Sequence, residues 1–267
     1  MKLRYKIVLV FLFFSIFIVK SANLNAAEPL PVELEGIGVD EKLGNQIDLQ
    51  TTFRDETGKE VKLQDYFDGK HPVILTLVYY GCPNLCGFLL NGFVDSLKTL
   101  AWSPGKEFNI VTVSIDPSEK SDLAAQKKES ILGAYKRDAA NSWHFLTGDE
   151  PSIQKLASQV GFKYRYDKDE KQYAHSAVIF LISPEGKVTR YLYGIQFPER
   201  DLKLGLMEAS KGKIGTVVDK FLMFCYHYDP KGKKYAIMAM NVMKLGAIVT
   251  VLLIGIVVLF QLRLKKN

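Results

Sequence analysis

Two of the three cysteines in this chain, Cys82 and Cys86, share the segment Tyr80-Gly-Cys-Pro-Asn-Leu-Cys-Gly87. The thiolate is the nucleophile and the metal ligand, and a helix N-terminus favours it. Helical residues four apart hold their Cβ atoms roughly 5–6 Å apart, beyond the roughly 3.5–4.5 Å a disulfide needs. Oxidation therefore requires Cys82 to sit off the helix, in the turn before it. Two thiolates at that spacing can instead bracket one metal ion. His175, far along the chain, would add an imidazole, and a set of two sulfurs and one nitrogen selects Cu(I) or Zn over Mg or Ca. A disulfide that merely staples the turn gains little from closing so short a loop. A redox pair, with Cys82 attacking and Cys86 resolving the mixed disulfide, stays open beside the metal site. A peroxidase would want a cation beside the attacking thiolate, and none stands near Cys82 in sequence.

The surrounding elements can bring these residues together. Residues 73–80, VILTLVYY, form a β-branched and aromatic run suited to a strand buried on both faces. Residues 88–100 carry apolar side chains at helical spacing, and residues 109–115 read as a second buried strand. Strand, helix and strand make a βαβ unit with parallel strands. Pro83 suits a first helical turn, which puts both thiols at the helix N-terminus. Ligands in open α/β sheets bind beyond the carboxyl ends of parallel strands. Cys82 follows one such end and Asp116, in Ser114-Ile-Asp-Pro117, follows the next. If the strand after His175, residues 177–183, runs antiparallel, its start lies at the same edge.

Further along, residues 118–136 read as an amphipathic helix, 143–146 as a short strand, and 152–160 as a helix stopped by Gly161. Residues 177–183 and 188–193 flank Pro184-Glu-Gly-Lys187, a hairpin signal, and residues 199–210 form a closing helix. Residues 51–63 alternate around Asp55-Glu-Thr-Gly58 as another hairpin, after a leader strand and loop over 28–50. This order predicts an α/β, thioredoxin-like fold: βαβ plus β-hairpin, with an insertion.

Other candidates have plainer readings. Asp116 orients a ligand or caps the turn before Pro117. His71 precedes Pro72 at the opposite edge, a surface position, and His144 lies in an apolar strand with a structural role. Cys225 and His227, in Phe224-Cys-Tyr-His-Tyr-Asp-Pro230, either pack a linker or supply an auxiliary copper site. Met238, Met240 and Met243 are thioethers that can bind Cu(I) or fill a membrane interface.

The net charge of +6 belongs to the ends. Lys2, Arg4, Lys6 and Lys20 precede or flank an apolar run over residues 7–19, while Arg263, Lys265 and Lys266 close the chain, so residues 21–262 are left with a single net negative charge. No nucleic-acid partner is implied. Residues 1–27 have the build of a signal peptide or anchor, with Ala26 and Ala27 offering cleavage positions. Residues 245–262 are apolar apart from Thr250 and Gln261, long enough for a transmembrane helix. The expected layout is residues 28–212 as the folded domain, 213–244 as a juxtamembrane linker, 245–262 as the span and 263–267 as a cytoplasmic tail. The signal segment sets the orientation, with the domain outside a bacterial inner membrane, facing the periplasm or outer side.

The segments Gly-Cys82-Pro-Asn-Leu-Cys86, Val113-Ser-Ile-Asp-Pro117 and Tyr173-Ala-His175-Ser-Ala-Val-Ile-Phe-Leu-Ile-Ser-Pro-Glu-Gly186 together resemble the SCO/SenC family. Its members are membrane-tethered, thioredoxin-like copper proteins that assist assembly of the CuA centre of cytochrome c oxidase. The resemblance spans about residues 45–210 and implies that Cys82, Cys86 and His175 bind a copper ion. It implies a metallochaperone whose partner is the CuA-bearing oxidase subunit, with a thiol–disulfide oxidoreductase as the alternative. Gly87 replaces a proline common in the family, and Ala174 replaces an aspartate.

Overall fold

The structure is a computed structural model that describes residues 36–81, 85–168, 170–211, 226–229 and 234–237, with backbone alone at 85–86 and in the last two segments. The expected signal segment, membrane span and tail lie outside the described residues, as do Cys82, Cys225, Met238, Met240 and Met243. Among the described residues no helix is long and apolar enough to cross a membrane.

A five-stranded sheet organises the domain. Its centre is β4, Val73–Val78, in which all six residues are buried. On one side β5, Asn109–Ser114, and then β6, Trp143–Leu146, run parallel to it. On the other side β9, Val178–Ile182, runs antiparallel to β4, and β10, Val188–Tyr193, pairs antiparallel with β9. The continuous apolar runs of β4, β5 and β9 follow from burial on both faces, which leaves no polar side to alternate with. Strand order and direction agree with the expected layout.

The described residues form four α-helices: α1, Leu85–Thr99; α2, Ser121–Tyr135, which packs against β6; α3, Glu150–Gln159; and α4, Glu199–Ala209, which packs against β9 and β10. Helix α1 packs against α2 and α4. At Gly92 of α1 an added Cβ would stand 1.8 Å from the Ile195 carbonyl oxygen, so only glycine admits the loop that leads into α4. One turn on, Ser96 Oγ accepts the Phe197 N–H at 3.0 Å and fixes that loop from the same helix face.

Two small sheets flank the core. β2, Thr52–Arg54, and β3, Glu60–Lys62, form the expected hairpin. The expected leader strand reduces to β1, Gly38–Val39, which joins β7, Phe162–Asp167, and β8, Gln172–His175, in a three-stranded sheet of order β1-β7-β8. The β7–β8 hairpin has no counterpart in the sequence reading. Farther on, β11, Tyr226–Asp229, pairs with β12, Lys234–Ile237. Helix boundaries shift by a few residues: residues 117–120 form a turn before α2, and α3 starts at Glu150 behind its cap, Asp149, whose carboxylate accepts the Ser152 N–H.

Candidate metal centre

The ends of β4 and β5 and the start of β9, the strand termini from which the three expected segments depart, lie at one sheet edge. Val78 of β4 lies opposite Ser114 of β5, so the loops after both strands leave from the same level. Thr76 lies opposite Ile179, the second residue of β9, so β9 starts close to that level too. Cys82 lies outside the described residues, and Cys86 is the second residue of α1. Gly81 is the last described residue before Cys82.

His175 ends β8 and is only 6% exposed. Its ring lies 5.8 Å from that of Phe162 and 6.2 Å from that of Tyr79, measured between centroids. Tyr79 stands three residues before Cys82, so the imidazole packs on the strand end that feeds the cysteine turn. Nδ1 lies 3.0 Å from the Ser176 carbonyl oxygen. A carbonyl can only accept, so Nδ1 carries the hydrogen and Nε2 holds the lone pair in the neutral ring. Metal-bound histidines make the same bond through their remote nitrogen, which fixes tautomer and ring orientation. Burial pushes the His175 pKa down, against an opposing lift from the Ser176 carbonyl. The ring stays neutral at neutral pH, as a ligand must.

Aromatic side chains build the wall around it. Tyr173 stacks edge-on against Tyr79 at 5.5 Å, and Tyr164 and Tyr166 lie at 5.9 and 5.0 Å from it. Burial, then the charges of Asp116 and Glu150, push the Tyr173 hydroxyl up to about 12. Asp116 Oδ1 accepts the Ser118 N–H at 2.8 Å, the geometry of a turn cap.

One residue at this edge was invisible in the sequence. Glu119, 8% exposed, turns its carboxylate back toward the end of β4. Oε2 accepts the Tyr80 N–H at 2.8 Å and the Ser114 hydroxyl at 2.6 Å, and Oε1 accepts the Gly81 N–H at 2.6 Å. The Asp116 N–H in turn donates to Ser114 Oγ at 3.1 Å. Burying a carboxylate is costly unless hydrogen bonds replace its water, and these three bonds do so.

The other histidines stand elsewhere. His71 sits at the start of β4, with Nδ1 2.5 Å from Asp68 Oδ2. His144 on β6 stacks on Tyr66 at 4.4 Å and lies 3.7 Å from Glu56, a structural setting. His227 stands on β11 opposite Ala236. Among the described residues no three His, Cys, Asp or Glu side chains gather closely enough to hold a metal ion. Two of the three expected donors are the cysteines, whose side chains are not among those described.

Comparison with known proteins supplies the remaining context. A family model described as SCO1/SenC matches residues 39–203, more than half of the chain. A Bacillus subtilis (strain 168) protein described as an SCO1 protein homolog is 27% identical over 148 residues, covering 54% of this chain and 72% of the relative. A solved structure from Aquifex aeolicus VF5 superposes with a TM-score of 0.55 at 22% identity, covering 63% of this chain and 94% of its own. BsSco superposes with a TM-score of 0.51, also at 22% identity, over 64% of this chain and 97% of its own. BsSco is described as a member of the Sco family of cytochrome c oxidase assembly proteins, with a disulfide switch.

Proposed function

The chain belongs to the SCO1/SenC family, and on that premise we propose that it is a membrane-anchored copper chaperone serving assembly of the CuA site of cytochrome c oxidase. Cys82, Cys86 and His175 are the proposed donors. Two thiolates and one neutral imidazole form a soft set suited to Cu(I), and Cys86 is the second residue of α1. The observation that carries the reading is the bond from His175 Nδ1 to the Ser176 carbonyl, 3.0 Å long, which leaves the imidazole lone pair on Nε2. Copper is cargo in this scheme. A thiolate of the partner joins the coordination shell before a donor of this chain leaves, so the ion passes through shared-ligand intermediates and is never free. Residues 1–27 export or anchor the chain, residues 245–262 tether it in the inner membrane, and the domain faces the periplasm or outer side. Cys225 and His227 would form an auxiliary copper site beside the tether.

The family description of BsSco as carrying a disulfide switch favours a second activity. The Cys82 thiolate would attack a disulfide of the oxidase subunit, releasing one partner thiolate. The Cys86 thiolate would then displace the second, leaving a Cys82–Cys86 disulfide and a partner dithiol. Two electrons pass to the partner, and an external dithiol must restore them.

Elemental analysis of the detergent-purified full chain, reduced and loaded with Cu(I) without oxygen, separates the two. Copper at one per chain, lost in Cys82→Ser/Cys86→Ser and weakened in His175→Ala, is the chaperone result. Absence of tight copper from the reduced wild type, together with a readily cycled disulfide, would leave the reductase. Disulfide exchange should largely survive His175→Ala.

A further inference from the structure

The connection between β5 and α2 contributes a buried carboxylate to a loop it does not belong to. Glu119 lies 37 residues after Cys82 in the chain, yet both of its oxygens are spent on the two peptide N–H groups that immediately precede that cysteine. Consecutive backbone N–H groups turned to one side make an anion-binding concavity. The chain fills this one with its own side chain. Among the described residues Glu119 has only neutral partners: the Tyr80 and Gly81 amides and the Ser114 hydroxyl. No ion pair among the described residues explains its burial. An added Cβ at Gly81 would stand 3.2 Å from Oε1, so the carboxylate fits closely against the bare backbone there.

We infer that Glu119 is a positioning residue for the Cys82–Cys86 pair, a latch that fixes where the cysteine turn leaves the sheet. The inference rests on the reading of these two cysteines as a pair that works together. Tyr80 is held from below as well, because its buried hydroxyl donates to the Leu146 carbonyl at 2.7 Å. The strand end is therefore fixed at its ring, and the peptide groups that follow are fixed by Glu119. Four-residue spacing closes a disulfide only when Cys82 is kept off the helix, in the turn. A loop held in that conformation keeps the two thiols at a high effective concentration; a loose loop dilutes them. The same latch reaches Asp116 through Ser114 Oγ, so it ties the turns after β4 and β5 into one unit.

The test uses the full chain with Glu119→Ala, Glu119→Gln and, as a control, Glu56→Gln, a half-buried carboxylate that bonds Lys128 and the Phe145 N–H rather than the amides before Cys82. Each protein is equilibrated in glutathione buffers and the Cys82–Cys86 disulfide is counted by mass spectrometry, which sets Cys225 apart. Amide exchange at Tyr80 and Gly81 reports on the latch itself. In Glu119→Ala the two amides lose protection and the equilibrium constant for the disulfide falls by about tenfold, or about 30 mV for two electrons. Glu119→Gln, which keeps one acceptor oxygen and turns an amide N–H toward the second donor, falls between. Glu56→Gln leaves the constant at its wild-type value. An unchanged constant in Glu119→Ala with protection lost would overturn the inference, as would an equal shift in Glu56→Gln. A wild type whose two cysteines neither pair nor bind copper would remove the functional reading first and this inference with it, and the wild type alone reveals that case.

Discussion

Glu56 and Glu119 are both acids carried on loops into the interior, and they are neutralised in opposite ways. Glu56, at the tip of the β2–β3 hairpin, bonds Lys128 of α2, approaches His144 at 3.7 Å and accepts the Phe145 N–H at 3.1 Å. Burial pushes its carboxyl up, but the bonds from His144, Lys128 and Phe145 win and bring it down to about 2. Glu119 takes up backbone N–H groups and a hydroxyl, with no cation among its described partners. The first arrangement clamps a hairpin onto β6 and α2 by charge. The second fixes the conformation of a loop by direction, because peptide N–H groups cannot swing to follow a displaced acceptor. Charge pairing thus clamps the β2–β3 hairpin onto β6 and α2, and oriented neutral donors fix the peptide groups that follow β4.

The contrast breaks most sharply at Lys128. Lys128→Met strands the Glu56 carboxylate and should cost about 3 kcal/mol in denaturant unfolding, the lower end of the range for opening a buried pair. Copper stoichiometry should not change; a loss of copper in this variant would mean the two regions are coupled. Acid should reach the same clamp. A carboxyl held at about 2 in the fold, against an ordinary 4.5, contributes stability that is complete above pH 4.5 and is lost as pH falls toward 2. Over that window wild type should lose about 3 kcal/mol more than Glu56→Gln, and parallel pH profiles for the two would contradict the assignment.

Glu119→Ala should cost less, about 2 kcal/mol, since the Tyr80 amide is buried while Gly81 can turn to water. Its effect on the cysteine pair should nevertheless exceed that of Lys128→Met, which is the reverse of their order in stability. Smallest of all, Asp116→Asn keeps the oxygen that accepts the Ser118 N–H and should stay within about 0.5 kcal/mol of wild type in the same unfolding assay. A larger loss would show that the charge of Asp116 matters beyond its turn.

The parts legible in the sequence are those in which local pattern and tertiary setting agree. β4, β5 and β9 are almost wholly buried and are built mainly of β-branched and other apolar residues because both their faces are covered. The β7–β8 hairpin was missed because its charged residues, Lys163, Arg165 and Asp167, read as loop. The alternation of Phe162, Tyr164 and Tyr166 on its other face was the signal available. Glu119 gave no signal at all: Ser-Glu-Lys before a helix looks like any solvent-facing first turn, and its partners lie 38 and 39 residues back in the chain. Only the approach of β5 to β4 makes them neighbours. Asp116 fell between, since its spacing before Pro117 suggested a turn cap and its carboxylate accepts the Ser118 N–H as such a cap does.

The central claim is that two thiolates and the Nε2 of His175 hold one copper ion. X-ray absorption at the copper edge, on the reduced full chain loaded with one equivalent, counts those donors most directly. Two sulfurs and one imidazole nitrogen are expected in wild type, with the nitrogen alone missing from His175→Ala. A spectrum without sulfur, or one that His175→Ala leaves unaltered, would contradict the claim.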